Sequence, residues 1–228
     1  MSSNYYYDGI SLRNGRTTNM DSLLLKSRKI QGTELCLAAV CDGVGSLVDG
    51  AYAASSAVRM LSNWFENLED TTRLGLRLRD YVLSVNLAIT TKARIRQMET
   101  ACTLSCLLLW DGQYCIVHVG DSRIYLWEGG VLRQLTHDQV REGRLTSAVG
   151  HRTNTDIFYS EGVWGKDQRF LLCTDGLYKR MDPAFLAGSI QKSSRRNLHK
   201  TLRQLTDYVI AQGEQDNISV ALLMNGER

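Results

Sequence analysis

Glu34-Leu-Cys-Leu-Ala-Ala-Val-Cys-Asp42-Gly43-Val44-Gly45 is a short apolar run that stops at a carboxylate flanked by glycines. A run this brief, without helical spacing and bounded by glycine, predicts a buried strand ending at a loop. Four further segments place an acid beside glycine, asparagine or arginine: Arg16-Thr-Thr-Asn19-Met20-Asp21, Gly120-Asp121-Ser122-Arg123, Asp175-Gly176 and Asp216-Asn217. Most of them lie at the end of an apolar run. Carboxylates gathered at strand ends suit hard divalent cations, because Mg²⁺ and Mn²⁺ take oxygen ligands in octahedral geometry. The pattern points to metal-assisted hydrolysis.

Outward from that strand, Ala54, Ala57, Val58, Leu61, Phe65 and Leu68 recur at helical spacing, and Leu74, Leu78, Tyr81, Val82, Val85 and Ile89 repeat the pattern. Two successive helices with one apolar face each are predicted. Residues 103–110, 113–120, 123–128 and 131–135 are aliphatic and β-branched, separated by Asp-Gly and Gly-Gly turn signals, and predict an antiparallel meander. Further strands are expected near 156–162, 169–174 and 218–224, with a helix over about 196–211 that carries Leu198, Leu202, Leu205 and Val209. Helices outside antiparallel sheets make an α+β layered architecture. There is no internal repeat or low-complexity linker, Pro183 is the sole proline, and 228 residues suit a single domain over 1–228.

A net charge of +3, from 27 basic and 24 acidic residues, gives no argument for a nucleic-acid partner. The six cysteines (Cys36, Cys41, Cys102, Cys106, Cys115, Cys173) lie inside apolar runs without CxxC or Cys/His metal spacing, which reads as reduced core thiols of a cytosolic protein. No basic region leads into an apolar stretch at the N-terminus, and no run approaches the ~20 apolar residues of a membrane span. The expectation is a cytoplasmic protein without membrane partners.

The order and content of these segments resemble those of the metal-dependent protein phosphatase family, the type 2C Ser/Thr phosphatases, over nearly the whole chain from Arg16 to Met224. The first segment resembles Arg-x-x-Asn-Glu/Gln-Asp. The resemblance implies that Arg16 grips the substrate phosphate, for which a planar fork of donors is suited, and that Asp21 orients water from behind the metals. Met20 replaces the usual Glu or Gln and cannot accept a strong hydrogen bond. Asp42-Gly43-Val44-Gly45-Ser46 resembles Asp-Gly-x-Gly-Gly, implying that Asp42 bridges two metals and the Gly43 carbonyl joins the coordination shell. Val44 stands where some relatives carry a histidine, and Ser46 where they carry glycine.

Leu171-Leu-Cys-Thr-Asp175-Gly176 and Asp216-Asn217-Ile-Ser resemble the segments that supply two more metal ligands, with Asn217 holding the neighbouring carboxylate. Asp121 matches an aspartate associated with a third, weakly bound ion in bacterial members, although Asp121-Ser122 reads equally as a hairpin turn with Arg123 paired to it. His118 reads as a satisfied core histidine, and Thr100-Ala-Cys-Thr103 as packing. Leu135-Thr-His-Asp138 runs almost at once into Leu145-Thr-Ser-Ala-Val-Gly150, so the flap subdomain of bacterial members is reduced to residues 140–144.

The resemblance thus implies two stacked, mainly antiparallel β-sheets flanked by α-helices. It implies two Mn²⁺ or Mg²⁺ ions bridged by a hydroxide that hydrolyses phosphoserine and phosphothreonine monoesters. Expected partners are phosphorylated proteins and an opposing Ser/Thr kinase in a signalling pathway. Met20, Val44 and the reduced flap support a rival: a catalytically weak pseudophosphatase or regulatory phosphoprotein-binding module.

Overall fold

The computed structural model describes residues 5–45, 47 and 49–225, so Ser46 lies outside the described residues. In chain order the elements are β1 (Tyr5–Leu12), β2 (Ser22–Ile30), β3 (Thr33–Cys41), α1 (Gly50–Glu66), α2 (Leu74–Arg96), β4 (Leu104–Trp110) and β5 (Gln113–Val119). There follow β6 (Arg123–Glu128), β7 (Val131–Gln134), β8 (Val140–Arg141), β9 (Arg144–Leu145), β10 (Phe158–Val163) and β11 (Arg169–Cys173). Helices α3 (Asp175–Tyr178), α4 (Pro183–Gln191) and α5 (Leu198–Ala211) and strand β12 (Ile218–Asn225) close the chain.

One sheet has the order β1-β12-β11-β6-β7 and the other β10-β5-β4-β3-β2, every neighbouring pair antiparallel. Strand β3 shows why its sequence reads as an unbroken apolar run. Leu35, Leu37, Ala39 and Cys41 pack with Ala54, Leu61, Phe65, Leu78 and Val82 of the two long helices. Alternate residues Cys36, Ala38 and Val40 pack with Phe170, Leu172, Ala221 and Leu223 of the opposite sheet. Both faces of the strand are covered, so neither can be polar. Strand β12 is buried likewise: Ile218, Val220 and Leu222 pack against Leu202, Leu205 and Val209 of α5, and Ala221 and Leu223 meet the other sheet. The layers therefore run helix, sheet, sheet, helix, as expected, and all six cysteines are free and buried.

The predicted four-stranded meander is corrected. Strands β4 and β5 form a hairpin in one sheet, while β6 and β7 form a hairpin in the other. The chain crosses between sheets at Gly120-Asp121-Ser122. Gly120 makes the corner with φ +103°, and a Cβ there would lie 2.7 Å from the Thr103 side chain. Turn signals mark where a strand ends; which sheet the next strand joins is decided by packing. The reduced flap is the two-residue-per-strand hairpin β8–β9.

Candidate active site

Antiparallel neighbours bring the five acidic segments to one end of the stacked sheets. Ser22 pairs with Cys41, so Asp21, just before β2, and Asp42, just after β3, emerge side by side. Cys173 pairs with Val220, which places Asp175, at the start of α3, beside Asp216, just before β12. Asp121 joins them from the corner between the sheets.

Glycine follows two of these acids because backbones cross there. A Cβ on Gly43 would lie 2.7 Å from the Gly50 carbonyl and 2.8 Å from that of Met20, and one on Gly176 would collide with the Asn217 carbonyl oxygen. Thr103 fixes the turn after β3: its amide donates to the Asp42 carbonyl at 2.8 Å, and the Asp42 amide donates to the Thr103 hydroxyl at 3.0 Å. That hydroxyl also meets Ser122 Oγ at 2.6 Å, tying the Asp42 and Asp121 segments together. Packing alone was expected of this threonine; its small polar side chain in an apolar run was the available signal.

The side chains carry more negative charge than they can balance internally. Burial, together with Asp21, Asp175 and Asp121, pushes the Asp42 carboxyl well above the ordinary carboxylate range. Burial likewise pushes Asp21 up to about 7, against the hydroxyls of Ser219 and Thr174 that pull it down. Asp121 is raised to about 6 by burial and by Asp175. Asp216 is the exception: burial acts upward on it, but Arg16 and the Asn217 amide outweigh burial and lower its pKa.

Arg16 is not free to face a ligand. Its Nε and Nη2 donate to the two carboxylate oxygens of Asp216 at 2.9 and 2.8 Å. Lys179, one helical turn beyond Asp175, pairs with that acid, a contact legible in the i, i+4 spacing but not anticipated. The Asn217 side chain holds something other than the neighbouring carboxylate. Its Nδ2 donates to the carbonyls of Arg13 and Thr18, and its Oδ1 accepts the Met20 amide, so it clamps the loop that carries Arg16; only its backbone amide reaches Asp216. Arg123 pairs with Asp138 at 2.6 Å rather than with Asp121, and lies over the Tyr178 ring at 3.5 Å.

Among the described residues, no three His, Cys, Asp or Glu side chains converge on a single point tightly enough to hold one ion as they stand. The reason is visible in the pairings: Asp175 and Asp216 are turned toward Lys179 and Arg16. Divalent cations nevertheless fit this donor set. Five carboxylates face two cations, and Asp21 Oδ1 is buried without any hydrogen-bond partner while Oδ2 accepts the Thr174 hydroxyl at 2.9 Å. Oxygen donors that repel one another and lack positive charge are what a hard cation requires.

A family model described as Protein phosphatase 2C matches residues 9–211. The chain is 33% identical over 215 residues to the serine/threonine phosphatase stp of Listeria monocytogenes, covering 81% of this chain and 82% of that protein. It is 26% identical over 230 residues to the serine/threonine protein phosphatase PstP of Mycobacterium tuberculosis, covering 91% of this chain and 42% of that one. Two solved structures share the fold: the catalytic domain of PstP in complex with two manganese ions (TM-score 0.81, 24% identity, 98% and 99% coverage), and PppA of Pseudomonas aeruginosa (TM-score 0.82, 24% identity, 98% and 99% coverage).

Proposed function

The chain belongs to the protein phosphatase 2C family and is a protein-serine/threonine phosphatase, and from that premise we propose a two-metal mechanism for it. In this reading Asp42, the Gly43 carbonyl, Asp175 and Asp216 hold two Mn²⁺ or Mg²⁺ ions, with a third, weaker ion at Asp121. The carrying observation is the acidic cluster itself, in which burial and the neighbouring carboxylates raise the pKa values of Asp42, Asp21 and Asp121. When bound, such ions supply Lewis acidity at the phosphoryl group and a nucleophile at neutral pH.

The chain's own residues then position the substrate. Arg16 leaves Asp216 and turns its two donors onto the phosphoryl oxygens, a bidentate contact suited to guanidinium. Asp21, anchored through one oxygen by Thr174, offers the other as an acceptor for water. Met20 contributes only backbone: its amide is taken by Asn217. Phosphoserine and phosphothreonine proteins are the substrates, set against a Ser/Thr kinase, and the whole chain acts as one catalytic domain in the cytoplasm. No helix among the described residues is long and apolar enough to cross a membrane.

Hydrolysis of a small aryl phosphate with Mn²⁺, with and without chelator, tests this reading. Asp42→Asn should abolish the metal-dependent rate, because an amide neither bridges nor neutralises two cations. Near-normal Mn²⁺-dependent turnover in that variant would refute the assignment.

A further inference from the structure

At the far end of β11 from Asp175, a cavity of about 870 Å³ opens between the start of β1, the end of β12 and the loop joining α4 to α5. The five residues of β11 separate it from the acidic cluster, roughly 15 Å at the usual rise. Arg169, Arg195 and Arg196 line it with Ser193 and Ser194, and the one acid among its lining residues is Asp167. Arg169 is the unusual member. Its guanidinium lies 4.5 Å above the Trp127 ring, and Nη2 donates to the Ser193 carbonyl at 3.2 Å. Its Nε and Nη1 are shielded from solvent and have no acceptor, and the Trp127 indole Nε1 is likewise without one. Burial lowers the pKa of Arg169, and Asp167 offsets only part of that.

Buried donors left unpaired on a permanent cation are costly, and an acceptor brought within their reach would remove that cost. The geometry around them suits an oxyanion. Arg195 is held against the Tyr6 ring at 4.5 Å, leaving its edge for hydrogen bonding, and planar guanidinium forks match tetrahedral phosphate. We propose that this cavity is a second, non-catalytic binding site for a phosphate-class oxyanion, either inorganic phosphate or the phosphate of a phosphorylated residue. Site and chemistry are separated by the length of the sheet, so an anion here does not compete with the group being hydrolysed.

The test uses the full chain with chelator present and Arg16→Ala in the background, which removes metals and the active-site cation. Calorimetry and thermal shift with inorganic phosphate and with a phosphoserine peptide, at matched ionic strength against chloride, should show binding that persists in Arg16→Ala. Arg195→Gln/Arg196→Gln, both exposed and outside the catalytic cluster, should weaken it about tenfold or more. Tighter binding of the peptide than of the free ion identifies phosphoprotein as the source, and equal binding identifies the free ion. Arg169→Gln should abolish the signal; should that variant fail to fold, the exposed pair still decides. Loss of binding in Arg16→Ala alone, indifference to the Arg195 and Arg196 substitutions, or an equal shift with chloride would overturn the proposal.

Discussion

The Arg16 guanidinium lies on Asp216 with two hydrogen bonds, and both side chains are substantially exposed, at 59% and 35%. An exposed pair of this kind is worth at most about 1 kcal/mol. Sequence alone predicts that Arg16→Ala weakens substrate handling and changes metal affinity little. The ion pair alters the second half of that expectation, because removing Arg16 frees a proposed metal ligand. Arg16→Ala should lower kcat/KM by roughly ten- to a hundredfold through the lost charge-assisted contact. It should also tighten Mn²⁺ binding by up to about fivefold, the equivalent of that ion pair. Calorimetric Mn²⁺ titration beside steady-state kinetics measures both, and weakened Mn²⁺ binding would show that Arg16 supports the site structurally.

At the scale of elements, strand ends near the acids are held by a few buried polar contacts rather than by the acids themselves. Thr103 is 2% exposed, and its hydroxyl serves both the Asp42 amide and Ser122. Thr103→Val keeps the shape and leaves that amide without an acceptor, which should cost about 1–3 kcal/mol in denaturant unfolding and weaken Mn²⁺ binding through the displaced Asp42. Unchanged stability and metal affinity would return Thr103 to packing alone. Strands β1 and β2 carry no continuous apolar run, since each is an edge strand with a half-exposed pattern, and their sequences did not announce them. Helix α4 did carry a signal: Asp182 caps it by accepting the Phe185 amide at 2.7 Å, and Pro183 occupies its first turn.

For the molecule as a whole, His118 couples the fold to pH. It is fully buried between Ser105 Oγ and the His137 carbonyl, and burial lowers its pKa to about 4. The unfolded chain, with an ordinary histidine near 6.5, binds more protons between those values, so stability falls as pH drops through that window. The loss should reach roughly 3 kcal/mol by pH 4. Comparing unfolding free energies of the parent and His118→Gln from pH 7 to 4 isolates it from the other titrating groups. Parallel curves would rule it out. The short β8–β9 hairpin leaves little to cover the acidic end, so the isolated chain should hydrolyse short phosphopeptides with weak sequence preference. A panel with kcat/KM spread over several orders of magnitude would contradict that. What the amino-acid sequence determined by itself was the layered α+β class, the two long helices and the acids at strand ends, because covering a strand on both faces demands an apolar run that must stop where the site begins. Only the tertiary structure decided which hairpin joined which sheet, that Arg16 and Lys179 sit on Asp216 and Asp175, and that Asn217 clamps the Arg16 loop. Those outcomes depend on contacts between residues up to 204 positions apart, whose distances no local pattern encodes.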